Sequence, residues 1–228
     1  MAAPNIPPIL RLPDELLVEI VAAVQDRTLS FDPESESPRS EIVASQICHR
    51  FRRAVTAAST LWTQVTLDLC RDESAELARL YLDRSAGCRI EMNLRAMDEV
   101  QAPKGLHYLS PHIGRIARLT IAFEAHQALD SIFYSFQNVV MASLEHLEIS
   151  SEYDVDVSVD LSPLKLTNIT SLKMTRCTPP FPPPQWMAAL THLYLSKTPG
   201  QFPGTRIFSD LSPRNSLHWF ISTLTWRS

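Results

Sequence analysis

The chain has 228 residues, 45% apolar and 20% charged, the composition of a folded globular protein with room for a small domain and a larger one. Its net charge of −4 argues against nucleic acid as the main partner, since a phosphate backbone calls for a basic face. No apolar run reaches the roughly 20 residues of a membrane span, and Pro4, Pro7 and Pro8 interrupt any secretory leader, so no membrane partner and an intracellular location, cytoplasmic or nuclear, are expected.

The first strong pattern is Leu12-Pro13-Asp14-Glu15-Leu16-Leu17-Val18-Glu19-Ile20. Proline suits the first helical position, where its missing N–H costs nothing, and Asp14 and Glu15 suit the positive end of a helix dipole. Leu16, Leu17, Ile20, Val21 and Val24 then recur at helical spacing and predict one apolar stripe on a helix ending near Gln25. Residues 26–40 carry Ser, Pro and acids without periodicity and predict a loop, with Ser35, Ser37 and Ser40 read as parts of a solvated connector in preference to phosphorylation sites. A second helix is expected from about Glu41 to Ala58, with Val43, Ile47, Phe51 and Val55 on one face and Arg50, Arg52 and Arg53 pointing away. Leu61 and Trp62 close the segment, and Trp62 is expected to be a core anchor. A domain of about fifty residues buries little surface, so it needs a partner or a neighbour to cover its remaining apolar face.

The rest of the chain repeats itself. Ile116-x-x-Leu119-x-Ile121, Leu144-x-x-Leu147-x-Ile149, Ile169-x-x-Leu172-x-Met174 and Leu190-x-x-Leu193-x-Leu195 share one form; Trp62-x-x-Val65-x-Leu67, Ile90-x-Met92-x-Leu94 and Ile221-x-x-Leu224-x-Trp226 follow it more loosely. The central positions 65, 92, 119, 147, 172, 193 and 224 are spaced by 27, 27, 28, 25, 21 and 31 residues, mostly within the range of leucine-rich repeats. Apolar alternation predicts a short strand with one buried face at each, and helical stretches at 74–85, 106–115 and 128–140 fill several gaps. The proline run at 178–184 excludes helix and predicts an extended or tight repeat connector, preferred over a ligand-like polyproline motif. The expected architecture is α/β: a helical module at 10–62, then an irregular leucine-rich-repeat solenoid at 63–228 with a concave parallel sheet. Because the last repeat runs into the C-terminus, either truncation within a repeat or a cap formed by 208–220 is expected, truncation being preferred.

Three blocks in series, Leu12-Pro13-x-Glu15-Leu16-Leu17-x-x-Ile20, then Val43-Ala44-x-x-Ile47-Cys48-x-Arg50-Phe51-Arg52-Arg53, then Leu61-Trp62, resemble an F-box, and more narrowly that of fungal F-box proteins with C-terminal leucine-rich repeats. The chain departs from that pattern in its long loop at 26–40 and in Phe51, where the family often has Trp. The resemblance implies an adaptor that docks on the SKP-type subunit of a cullin–RING ubiquitin ligase, with Leu12, Pro13, Leu16, Leu17, Ile20, Val43, Ile47 and Phe51 shaping the module and its adaptor-facing surface. Which of these are core and which interface is left open. The repeats would present a protein substrate.

On each strand the residues between the buried ones face outward: Arg118, Thr120 and Ala122; His146, Glu148 and Ser150; Ser171, Lys173 and Thr175; His192, Tyr194 and Ser196. This row is a candidate protein-binding face or an ordinary solvated one, with Tyr194 its best anchor. No catalytic, cofactor or metal site is expected. Only five glycines occur, and no GxGxxG, Walker loop, GxSxG or HExxH is present. Cys48, Cys70, Cys88 and Cys177 form no CxxC pair and predict free thiols in a reducing compartment. His107 and His112 lack a third ligand, and Asp154, Asp156 and Asp160 lack the glycine and closing Glu of a calcium loop. The alternatives to the ligase reading are a leucine-rich-repeat scaffold whose first module is only a cap and, last, an enzyme with an unfamiliar site.

Overall fold

The computed structural model describes residues 7–28, 39–96, 106–137, 139–152, 157–179 and 184–196. The connector at 29–38, the acids Asp154 and Asp156, Pro180 to Pro183, the expected cap at 208–220 and the last repeat at 221–226 lie outside them. The chain divides into two compact units: Met1–Thr63 with Tyr81–Cys88, and Gln64–Leu80 with Arg89–Ser228.

The first unit is helical. A 3-10 turn at Pro8–Arg11 leads into α1 at Asp14–Thr28, three residues longer than the stripe predicts. The expected single second helix is two: α2 at Ser40–Ile47 and α3 at His49–Ala57. Cys48 separates them in an extended conformation (φ −159°, ψ 169°) and caps α3, its carbonyl accepting the amide of Arg52 at 2.9 Å. A further 3-10 turn at Ser59–Trp62 ends the run, and the last turn of α4, a helix at Asp72–Arg84, also belongs to this unit from Tyr81 on.

The break at Cys48 has a geometric consequence. Residues four apart share a face only while the helix is continuous. Val43 and Ile47 therefore do not share a face with Phe51 and Val55: the first two are exposed, the second two buried. On α2 the buried face is carried by Glu41 and Ala44.

Trp62 is fully buried. Its indole N–H donates to the Val55 carbonyl at 2.9 Å, Tyr81 meets its ring edge-on at 5.0 Å, and the Arg84 guanidinium lies over it at 4.2 Å. Beside it sits a carboxylate that is only 2% exposed, that of Glu41. A buried charge is tolerated when hydrogen bonds replace its water. Glu41 accepts from the Gln25 amide at 2.7 Å, from the Ser40 hydroxyl at 3.3 Å and from the Tyr81 hydroxyl. Gln25 also donates to the Leu61 carbonyl at 2.9 Å. One polar knot thus joins the last turns of α1, the first turn of α2, the closing 3-10 turn and Tyr81.

The second unit is a mixed helix–strand body. In chain order its strands are β1 Gln64–Asp68, β2 Ile90–Ala96, β3 Ile116–Phe123, β4 Val140–Met141, β5 His146–Ser151, β6 Val157–Ser158, β7 Lys165–Leu166, β8 Ser171–Thr175, β9 Cys177–Thr178 and β10 His192–Ser196. Six of them form one parallel sheet in the order β1-β2-β3-β5-β8-β10, and β4 with β7 and β6 with β9 form two short parallel ladders. Val65, Met92, Leu119, Leu147, Leu172 and Leu193, the central positions of the repeated pattern, stand in one register row across the main sheet. A helix, α5 at His126–Phe136, buries Leu129, Ile132, Phe133 and Phe136. It starts and stops earlier than the predicted 128–140, and Val140 lies on a strand. The stretch 106–115, read as helical, is a nine-residue 3-10 helix at His107–Arg115 with Pro111 inside it. Burial alternates along β1, β2, β5 and β8 and along β3 from Arg118 on, so one face is apolar and buried while the other is polar; on β10 only Leu193 is buried.

Glu41→Ala leaves the buried Tyr81 hydroxyl without its carboxylate acceptor and removes one of the two acceptors of the Gln25 amide, and is expected to cost roughly 2–4 kcal/mol in denaturant unfolding, against about 1 kcal/mol for Glu41→Gln, which keeps a carbonyl acceptor. Burial, foremost, raises the Tyr81 hydroxyl above its ordinary value near 10, with the Glu41 contact adding to it and Arg39 opposing. A raised folded-state value favours the un-ionised form, so this contribution is complete below about pH 10 and is lost as the pH climbs above it. Alkaline unfolding should accordingly steepen above about pH 10 in the wild-type chain and flatten in Tyr81→Phe.

Candidate functional site

Two surfaces collect the residues singled out by sequence. The first is on α1 and α2. Helix α1 packs against α2 and α3, and its apolar positions divide between core and solvent. Leu17 and Val21 are buried at 0% and 4% exposure, while Leu16, Ile20 and Val24 remain 41%, 41% and 45% exposed. The two sets lie on adjacent strips of one helix: Leu16, Ile20 and Val24 are each four residues apart, as are Leu17 and Val21. On α2, Val43 and Ile47 form a second exposed strip at 43% and 61%. Ile9, ahead of α1, is exposed as well. Among the described residues the other exposed large apolar side chains are Leu80, Tyr108, Tyr134 and Val140, so most of the exposed aliphatic surface is on the first unit.

Of the eight residues that the F-box resemblance implicates, Leu17 and Phe51 are core, Leu12 is half-buried, and Pro13, Leu16, Ile20, Val43 and Ile47 are exposed. Val24 joins the exposed strip although the resemblance does not include it.

The start of α1 is tied to α3. Arg50, expected to point away, turns back instead: its guanidinium donates to the Leu10 and Leu12 carbonyls and to the Asp14 carboxylate at 2.9 Å. Arg53, also expected to point away, holds the other Asp14 oxygen at 3.2 Å. Arg52 donates to the Ser45 carbonyl at 2.9 Å. The hydrogen bonds from Arg50 and then Arg53 hold the Asp14 carboxyl below its ordinary range. Beside this tie an open groove of about 650 Å³ is lined by Asp14 and Arg53 together with Val18, Ala54, Ala57, Ala58, Glu15 and Glu19.

The second surface is the polar face of the main sheet. Parallel register places the outward residues in cross-strand rows. One runs Gln64, Glu91, Arg118, His146, Ser171, His192; the next runs Thr66, Asn93, Thr120, Glu148, Lys173, Tyr194; the third begins Asp68, Arg95, Ala122, Ser150, Thr175, Ser196. Charges on this face pair with neighbours. Arg118 lies 3.7 Å from Glu91, Lys173 lies 2.6 Å from Glu148, and Arg95 lies 3.6 Å from Glu152. Lys173 also reaches the Tyr194 ring, 5.8 Å from its centroid. Within the three rows three acids, Asp68, Glu91 and Glu148, balance three bases, Arg95, Arg118 and Lys173, and Glu152, just past β5, adds a fourth acid. The eight residues expected on it, Arg118, Thr120, His146, Glu148, Ser171, Lys173, His192 and Tyr194, all lie in the first two rows.

Among the described residues no three His, Cys, Asp or Glu side chains converge as a metal site, and no helix is long and apolar enough to cross a membrane. Cys48, Cys70, Cys88 and Cys177 are free thiols, and burial pushes that of Cys177 up to about 11. No family model, no curated protein and no solved structure matches the chain.

Proposed function

We propose that the chain is the substrate-recognition subunit of an SKP–cullin–F-box ubiquitin ligase: its first unit docks the SKP-type adaptor and the polar sheet face of its second unit presents a protein substrate. One observation carries the reading. The first unit closes its own core around Leu17, Val21, Phe51, Val55 and Trp62 and still leaves Leu16, Ile20, Val24, Val43 and Ile47 in solvent on two neighbouring helices. Burying a large aliphatic side chain gains about 1.5–3 kcal/mol, so five half-exposed ones offer a partner enough apolar area for stable docking. The F-box resemblance of these same helices supplies the partner's identity.

In this reading the protein does no chemistry. It brings substrate and ligase together and so raises the effective concentration of one for the other. The sheet supports the second half. All-parallel sheets are ordinarily covered on both faces, whereas this one keeps a row-by-row polar face opposite its apolar one, as the leucine-rich-repeat expectation requires. Its nearly balanced charge favours a substrate segment of mixed polarity over a strongly acidic or basic one. Exposed ion pairs are individually worth about 0–1 kcal/mol and exchange readily for pairs with a partner. The same sheet face also supports the alternative, a non-catalytic leucine-rich-repeat scaffold unrelated to ubiquitination.

The two readings part on the adaptor. The full-length chain is expected to co-purify with an SKP-type adaptor, and Leu16→Glu with Ile20→Glu to weaken that binding about a hundredfold with little change in unfolding temperature, because both sites are exposed. Leu17→Ala should do the reverse, lowering stability by about 2–5 kcal/mol as a core truncation. Adaptor binding unaffected by the double charge substitution rules out the first reading in favour of the scaffold.

A further inference from the structure

We propose that Arg50 is a positioning residue for the docking strip on α1, acting through the backbone of the segment that precedes the helix; the inference rests on the docking reading above. The segment 7–13 has little else to hold it. Its 3-10 turn buries no residue, and the two residues joining it to α1, Leu12 and Pro13, are half-buried and exposed. Yet it fixes where α1 begins. Arg50, near the start of α3, supplies the ties: a planar fork of donors meets two main-chain carbonyls, of Leu10 and Leu12, and the carboxylate of the first helical residue, Asp14. Arg53, one turn further along α3, takes the remaining Asp14 oxygen.

These contacts set more than the position of a terminus. Successive residues on a helix are about 100° apart, so the rotation of α1 about its axis decides whether Leu16 or Leu17 faces the core. That rotation is held at the far end by Gln25, bonded to Glu41 and to the Leu61 carbonyl, and at the near end by Arg50. Remove the near tie and the first two turns, which carry Leu16 and Ile20, lose their fixed presentation while Leu17 and Val21 keep the helix on the core. The residue acts through α1 and touches no partner side chain in this account.

Lysine separates this role from a purely electrostatic one. It keeps the charge opposite Asp14 but cannot fork onto two carbonyls. The test compares the full-length chain with Arg50→Lys, Arg50→Met and Asp14→Asn, reading hydrogen exchange across 10–20 and affinity for purified SKP-type adaptor. Expected are about tenfold faster exchange in 10–20 and about tenfold weaker binding in both Arg50 variants, with exchange in 40–57 unchanged and Asp14→Asn close to wild type. Arg50→Lys that matches wild type in exchange and binding overturns the proposal, as does Asp14→Asn that reproduces Arg50→Met. If Arg50→Met fails to fold, Arg50→Lys and Asp14→Asn still decide it. If the wild-type chain binds no adaptor, the docking reading falls, and exchange across 10–20 alone judges Arg50: unchanged exchange in Arg50→Lys overturns its positioning role, faster exchange sustains it.

Discussion

The first unit is governed by a mismatch between how much apolar surface its helices carry and how little a body of this size can cover. α1 has six large aliphatic positions in nine residues, and only Leu17 and Val21 among them are buried. α2 has its own pair, Val43 and Ile47, but the break at Cys48 turns them away from the face that α3 buries. Small domains bury a smaller fraction of their surface than large ones, and here the surplus stays in solvent. Here the surplus is ordered: the excess side chains stand at four-residue spacing on rigid helices, the arrangement helix-mediated recognition uses. The core beneath it is closed by Trp62 and by the Glu41 knot, so exposing these residues does not leave a void.

Much of the second unit was legible in the sequence. The pattern of an apolar residue, two others, then an apolar residue and its second neighbour placed the six described strands of the sheet and put its central positions in one register row. Alternation is a strong signal because a one-residue slip reverses every side chain. The outward row from Arg118 to Tyr194 followed from it directly. The helical unit was less legible. A stripe five residues wide could not say which edge was core, since that depends on where α2 and α3 pack. The helix break at Cys48 left no Gly or Pro to announce it. Glu41 and Arg50 read as ordinary surface charges, because what buries the first and bends back the second is chain distant in sequence: Tyr81 is 40 residues from Glu41, and the Leu10 carbonyl is 40 residues from Arg50.

The polar face of the sheet constrains what it can hold. Its charges are already paired across strands, and Lys173 is engaged on one side by Glu148 and on the other by Tyr194. Such a face offers specificity through the geometry of exchangeable pairs more than through a strong field. It complements the apolar strips of the first unit, which offer area with little directional chemistry. In the proposed function the two surfaces take different tasks, stable docking and selective presentation.

The central claim is that the strip of Leu16, Ile20 and Val24, with Val43 and Ile47, is a free docking surface while Leu17 and Val21 are core. Carbene footprinting of the full-length chain, with and without SKP-type adaptor, measures this residue by residue. Expected are strong labelling of the five exposed residues in the free chain, its loss in the complex, and little labelling of Leu17 and Val21 in either state. Equal labelling of Leu16 and Leu17 in the free chain, or labelling of the five residues unchanged by the adaptor, contradicts it.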